Sequence, residues 1–205
     1  LYPDQFDDEL IDELAANGKI VKYLDIPIQH INDQILKSMN RRGTGGEIRA
    51  LFKTLRERIP GLVLRTSLIA GLPGEGEAEF EELCGFLREA RIERVGVFPF
   101  SPEEGTPAAA MEHVDFDEAQ RRADMIMELQ APIMDDFCAS FVGKTLRVLC
   151  EGYDEESGMF YGRSYADSPD IDGQVFFTGS CAEGEMADVL IECAEDGILF
   201  GGMED

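Results

Sequence analysis

The sequence predicts an α/β protein: the later half of a β/α barrel, followed by a small five-stranded antiparallel barrel. Three observations carry this. Three short apolar runs each break into polar, Gly and Pro residues, namely Tyr23-Leu24-Asp25-Ile26-Pro27-Ile28-Gln29-His30, Leu62 through Glu75, and Val95 through Thr106. That grammar suits parallel strands ending at the C-terminal mouth of a barrel, where chemistry collects. Helical stripes separate the runs. After Val142-Gly143-Lys144 the pattern changes to short alternating runs cut by turn clusters.

The elements follow in order. Asp4 to Ala16 carries Phe6, Leu10, Ile11 and Leu14 at helical spacing, and Asn17-Gly18 stops it. Val21 to Ile28 reads as the first strand. Asn32 or Asp33 can cap a short helix through Met39, and Arg41 to Gly46 reads as a loop. Glu47 to Ile59 turns Ile48, Leu51, Phe52 and Leu55 inward, and Pro60-Gly61 ends it. The second strand, Leu62 to Ile69, ends at Gly71-Leu72-Pro73-Gly74. Helix Glu77 to Ala90 buries Phe80, Leu83, Phe86 and Leu87. The third strand is Val95 to Phe100. A longer helix runs from Asp117 to about Phe141, with Pro132 as an expected kink or break.

Strands alternating with helices predict right-handed βαβ units. Three strands cannot close a barrel, and a long open edge is a liability. The expectation is therefore the C-terminal part of a longer protein. Beyond residue 141, five short strands (145–151, 158–165, 173–178, 186–193 and 198–200) predict a small barrel of the oligonucleotide-binding-fold kind. The expected domains are 1–141 and 142–205.

Composition narrows the partners. An apolar fraction of 44% allows a real core. No apolar run approaches the roughly 20 residues that span a bilayer, so no membrane partner is expected. The cysteines, at 84, 138, 150, 181 and 193, are all more than four residues apart, and there are two histidines. No metal site is expected from them; reduced thiols in a cytoplasmic protein are. The net charge is −24, a surface that repels phosphate backbones and attracts basic partners. Arg65, on a strand expected to be buried, needs a partner: a barrel carboxylate such as Asp25, or a ligand carboxylate.

Together the three mouths resemble the later half of a radical S-adenosylmethionine barrel, and more narrowly the methylthiotransferase family. The matching pieces are Pro27-Ile28-Gln29-His30 with Met39-Asn40-Arg41, then Arg65 through Glu75, then Phe98 to Thr106. Gly162-Arg163-Ser164 and Pro169-Asp170-Ile171-Asp172-Gly173 resemble the TRAM barrel that ends these enzymes. Each piece alone is weak; their order and spacing are specific.

The resemblance implies S-adenosylmethionine as cofactor, with Gln29, Arg65, Ser67, Ile69, Gly71 and Glu75 on its side of the mouth. Ile69 would touch adenine, and Gly71 to Glu75 would let backbone approach the adenosine. It implies His30, Arg41, Ser101, Glu103, Arg163, Asp170 and Asp172 on the substrate side. Read without the resemblance, Gln29-His30 is a capping loop, Gly71 to Gly74 a strand-to-helix turn, and Glu103 a solvated charge. Gly76 stands where the family usually places Thr or Ser, a weaker helix cap.

The family also implies two 4Fe–4S clusters, one held by a CxxxCxxC triplet and one on an N-terminal domain. Neither motif occurs in this chain. The expected missing partner is therefore the N-terminal half of the same protein, and this chain alone is expected to be inactive.

Charge separates the family's substrates. From Val142 onward three basic side chains face fifteen acidic ones, a net of −12. RNA binding requires a basic footprint; a basic protein is steered in by complementary potential. The resemblance implies either transfer RNA or an aspartate of a small-subunit ribosomal protein as substrate; with this charge the expected partner is the basic ribosomal protein, with no direct nucleic-acid contact. The alternatives are a transfer-RNA methylthiotransferase, a cluster-free acidic binding module, and a barrel lyase fragment.

Overall fold

A computed structural model describes residues 1–203. The chain divides into two compact units, Leu1–Ala131 and Pro132 onward.

The first unit is built on three parallel strands in the order β1-β2-β3: Tyr23–Asp25, Val63–Ala70 and Arg94–Pro99. Helix α1 (Asp8–Ala16) precedes β1, α2 (Asp33–Ser38) and α3 (Gly45–Arg58) join β1 to β2, and α4 (Glu77–Ala90) joins β2 to β3. Caps mark the starts. Asn32 accepts from Gln34 N at 3.0 Å and Ile35 N at 3.2 Å. The Thr44 hydroxyl accepts from Glu47 N while the Glu47 carboxylate accepts from Thr44 N at 2.7 Å, so α3 starts two residues earlier than its apolar stripe indicates.

β1 is shorter than the sequence suggests. Pro27 has no N–H and interrupts the ladder. The buried Thr66 hydroxyl fills the gap, donating to Ile26 O at 2.8 Å and accepting from Ile28 N at 3.2 Å. Pairing resumes where Gln29 N donates to Ser67 O and Ile69 N donates to Gln29 O.

The two sheet faces differ. Leu64, Leu68 and Ala70 are fully buried and pack with Leu55, Phe80, Leu83 and Leu87. The opposite face carries Asp25, Arg65, Ser67, Ile69, Gly96 and Phe98, aligned by register. Phe98 there is 56% exposed. Parallel sheets are ordinarily covered on both faces.

Helix α5 (Phe116–Ala139) is continuous, with Pro132 inside it. Of the two outcomes expected at Pro132, a kink or a break, the break does not occur; the division into two compact units falls there.

The second unit contains β4 (Thr145–Asp154), β5 (Met159–Arg163), β6 (Val175–Thr178), β7 (Met186–Glu195) and β8 (Ile198–Met203), closed into a barrel in the order β4-β5-β6-β8-β7. All five expected strands are present. Gly162 permits closure, because a Cβ there would lie 2.0 Å from the Leu149 carbonyl oxygen. Among the described residues no helix is long and apolar enough to cross a membrane.

Candidate functional site

The uncovered sheet face gathers four of the residues singled out in the sequence. The Arg65 guanidinium reaches Asp25 Oδ2 at 2.8 Å and lies 3.4 Å from Ser67 Oγ. The barrel carboxylate is thus its partner. The guanidinium also lies over Gly96, where a Cβ would come within 3.4 Å of it. One step toward the mouth, half-buried Ile69 stands in register with Phe98. The face therefore runs from an ion pair to an apolar shelf, an arrangement suited to a zwitterionic ligand carrying a flat ring.

Gln29 closes the edge of this face in a left-handed conformation, φ 70°. Such geometry costs a non-glycine residue roughly 1 kcal/mol or more. It is enforced here by the two backbone bonds that Gln29 makes to β2.

His30 and Glu75 lie behind the mouth, both side chains fully buried. The Glu75 carboxylate accepts from Gly71 N at 3.0 Å and from Arg122 Nη1 at 2.8 Å. Arg122 Nη1 also donates to the Glu75 carbonyl at 3.0 Å, and Arg122 Nε to Glu118 at 2.8 Å. His30 Nδ1 accepts from Asn32 N at 3.0 Å, which leaves Nε2 facing Glu75 Oε2 at 3.4 Å. Burial pushes the Glu75 carboxyl up, yet the donors from His30, Arg122 and Gly71 together hold it below its usual range. The cluster locks the turn after β2 onto the start of α5.

Gly71 serves the same junction. Its φ is +80°, and a Cβ there would meet the Ala119 Cβ at 2.5 Å and Val114 Cγ2 at 2.9 Å. The close approach that this glycine permits is by the chain around α5. Glu75 and His30 offer no surface to a ligand and act on the mouth through its backbone.

The loops after the three strands meet around a cavity of about 240 Å3 lined in part by Met39, Asn40, Leu72, Pro73, Thr106 and Pro107. Thr106 shapes its rim, accepting from Ala109 N at 3.3 Å and donating to Glu103 O at 2.8 Å. Ser101 and Glu103 are exposed in that loop. The Arg41 guanidinium lies 5.2 Å from the Tyr2 ring centroid.

In the second unit, Arg163 is paired with Glu151. Asp172 accepts from Ser168 N at 2.8 Å, and Asp170 is exposed with φ 62°. The buried core of that loop is Asp167, which accepts from Ser164 N at 3.1 Å and from its hydroxyl at 2.7 Å.

Residues 2–87 match the radical SAM superfamily and residues 142–203 the TRAM domain. The chain is 45% identical over 203 residues to the ribosomal protein uS12 methylthiotransferase RimO of Acetivibrio thermocellus, covering 98% of this chain and 45% of that protein. The RimO of Caldanaerobacter subterraneus is 48% identical over 176 residues, 85% of this chain and 40% of that one. The chain belongs to the radical SAM methylthiotransferase family.

It spans less than half the length of these methylthiotransferase relatives. The coproporphyrinogen III oxidase HemN of Escherichia coli, a radical SAM enzyme, superposes with a TM-score of 0.54 at 20% identity, over 65% of this chain and 31% of that one. The Elp3 of Methanocaldococcus infernus gives 0.50 at 18% identity, over 65% and 32%. These likenesses show the barrel fold.

Radical SAM chemistry uses S-adenosylmethionine and a 4Fe–4S cluster. The Asp25–Arg65–Ser67 edge and the Ile69–Phe98 shelf fit the first. The described residues do not fit the second: no three His, Cys, Asp or Glu side chains are placed to hold a metal.

Thr66 and Arg122 were missed in the sequence. Arg122 had a signal, since it shares the buried stripe of Ala119, Ala123 and Ile126 at helical spacing. Thr66 had only its place opposite Pro27, which depends on a pairing between distant segments.

Proposed function

We propose that this chain supplies part of the active-site barrel, residues 1–141, and the TRAM substrate-recognition barrel, residues 142–205, of an enzyme that methylthiolates an aspartate of ribosomal protein uS12. The observation that carries the reading is identity of 44% to 48%, along 85% to 99% of this chain, to proteins named as uS12 methylthiotransferases. The acidic barrel supports it. With three basic side chains against fifteen acidic ones it favours a basic protein over RNA.

In this reading Arg65, Ser67 and Gln29 hold the polar part of S-adenosylmethionine, and Ile69 with Phe98 faces its adenine. The cofactor supplies a carbon radical able to abstract a substrate hydrogen. Glu75 and His30 fix the backbone of Gly71 from behind. Ser101 and Glu103 border the substrate entrance, and the barrel carrying Arg163, Asp170 and Asp172 receives the protein. The cysteines for two 4Fe–4S clusters, and the rest of the barrel, are assigned to the length that the relatives have beyond this chain. The site of action is the cytoplasm, where the ribosome is.

The test uses the whole protein that carries this chain, purified and reconstituted without oxygen. Incubation with uS12, S-adenosylmethionine as methyl donor and radical source, a low-potential reductant and a sulfide source is expected to replace one aspartate hydrogen by a methylthio group, located by peptide mass spectrometry. Modification of transfer RNA with uS12 untouched would overturn the reading.

A further inference from the structure

The outer surface of the TRAM barrel carries a feature that its core does not require. The interior is filled by Val148, Val175, Phe177, Val189, Ile191 and Leu199, all at most 3% exposed. On the outside, one register row crosses all five strands: Gly152, Tyr161, Phe176, Phe200 and Cys193. Its three central members are aromatic. The Phe176 and Phe200 rings are nearly parallel, 22° apart with centroids at 5.8 Å, and Tyr161 stands 6.2 Å from Phe176. A Cβ at Gly152 would meet the Tyr161 hydroxyl at 2.6 Å, so the glycine lets that ring lie across β4. In the next outward row Thr178 stands beside Gly202, with Leu190 beyond it, which leaves a shallow shelf beside Phe176 and Phe200.

We propose that the row Tyr161–Phe176–Phe200 is a docking strip for a Lys- or Arg-rich protein segment. Contiguous aromatics on a barrel exterior mark an interaction surface. Charge selects the occupant. Rings can stack nucleobases, but the backbone then needs cations along the strip. Here Arg163 is tied to Glu151, Lys144 lies over Phe141, exposed Arg147 stands in register with exposed Asp188 on the neighbouring strand, and exposed Glu192 and Glu195 stand on the flanking strand. Aromatic faces beside carboxylates are a cation receptor. This rests on the reading of the unit as a substrate-recognition barrel, and adds the residues and contact chemistry by which it would grip a basic partner.

The experiment measures binding of the full chain to uS12, to a synthetic Lys/Arg-rich peptide, and to single-stranded RNA, at low and physiological salt. Phe176→Leu and Phe200→Leu keep the apolar bulk and remove the rings. Thr178→Arg places a positive charge on an exposed position of the shelf and keeps the test open if the ring variants fail to fold. Binding of uS12 and peptide is expected, weakened at least about threefold by each ring variant and by Thr178→Arg, the latter loss shrinking as salt rises. If uS12 binds equally well to wild type and all variants, the strip is wrong and the substrate reading stands. If only the peptide binds, ring-dependently, the strip stands and the uS12 reading falls. Ring-dependent RNA binding, or binding of nothing, overturns the strip.

Discussion

Arg122→Met is the sharpest probe of the cluster behind the mouth. The substitution keeps a stem against Phe80, whose ring centroid lies 5.3 Å from the guanidinium carbon. It removes the donor at 2.8 Å from the Glu75 carboxylate and the one at 3.0 Å from its carbonyl. What remains is a fully buried carboxylate with one backbone N–H and His30 at 3.4 Å. Removing one partner of a buried pair costs about 3–5 kcal/mol. We expect a loss near the lower figure, ~3 kcal/mol, because Gly71 N and His30 still face the carboxylate. For a unit of this size that is a drop of roughly 10 °C in Tm.

The pH dependence gives a second readout. In the wild type the Glu75 carboxyl is held below its ordinary value, so its stabilisation is present above the unfolded carboxylate range and is lost as pH falls through the folded value. In Arg122→Met burial acts against only the two remaining donors, and the folded carboxyl rises above its unfolded value. The folded variant then takes up a proton first, so its deficit against wild type narrows on acidification. Urea unfolding at about pH 7.5 and about pH 5 reads both quantities. Adding Glu75→Gln to the variant is expected to recover roughly half of the loss, since no buried charge then remains unpaired. A cost under about 1 kcal/mol, or a deficit independent of pH, would refute the assignment of Arg122 as the counter-ion that holds Glu75 ionised.

Three further substitutions probe neighbouring parts. Gly71→Ala adds a Cβ 2.5 Å from Ala119 at a positive φ and is expected to cost about 2–4 kcal/mol by thermal denaturation; a neutral result would mean that α5 moves freely against the turn. Thr66→Val leaves the Ile26 carbonyl and Ile28 N–H without their bridge, and is expected to cost about 2 kcal/mol or more in urea unfolding. Asp25→Asn frees Arg65 on a half-exposed edge, so it should change stability by under about 1 kcal/mol while altering S-adenosylmethionine affinity in equilibrium dialysis of the whole protein; unchanged affinity would remove this edge from the cofactor site.

The element order was legible because each signal was local. Apolar stripes set α1, α3 and α4; Asn32 announced α2; alternation and turn clusters announced all five barrel strands. The errors were local as well. Pro27 shortens β1 because it cannot donate, and the pair Thr44 and Glu47 starts α3 ahead of its apolar pattern. Pro132 allows a kink or a break, and the helix runs through it, because a proline within a long helix removes one backbone bond without ending the others. The candidate site was half legible. Arg65 stood out as a charge on an apolar strand, and Asp25 proved to be its partner at 2.8 Å. Gly71 was visible as a glycine that permits close approach, but what approaches it, Ala119, is 48 residues away and no local pattern names it. The aromatic row has the same character. Phe176 and Phe200 each alternate with buried neighbours, yet their placement beside Tyr161 depends on β6 pairing with β8 in parallel.

Within the first unit the two faces of one sheet divide the work, and β2 shows how. Its residues alternate: Leu64, Thr66, Leu68 and Ala70 are buried against helices or bridge to β1, whereas Arg65, Ser67 and Ile69 lie on the other side. A change on the first set is felt as stability, since Thr66 alone satisfies two backbone groups. A change on the second set meets an ion pair and an apolar shelf that hold little of the fold. The Gly71 turn joins the sets, because its backbone continues the strand bearing Ile69 while its N–H is fixed by Glu75 on the buried side. Stability and site geometry are therefore coupled at that one amide. Variants of the buried cluster should disturb the mouth in proportion to their effect on the turn, while variants of the open face should leave the unfolding free energy nearly unchanged.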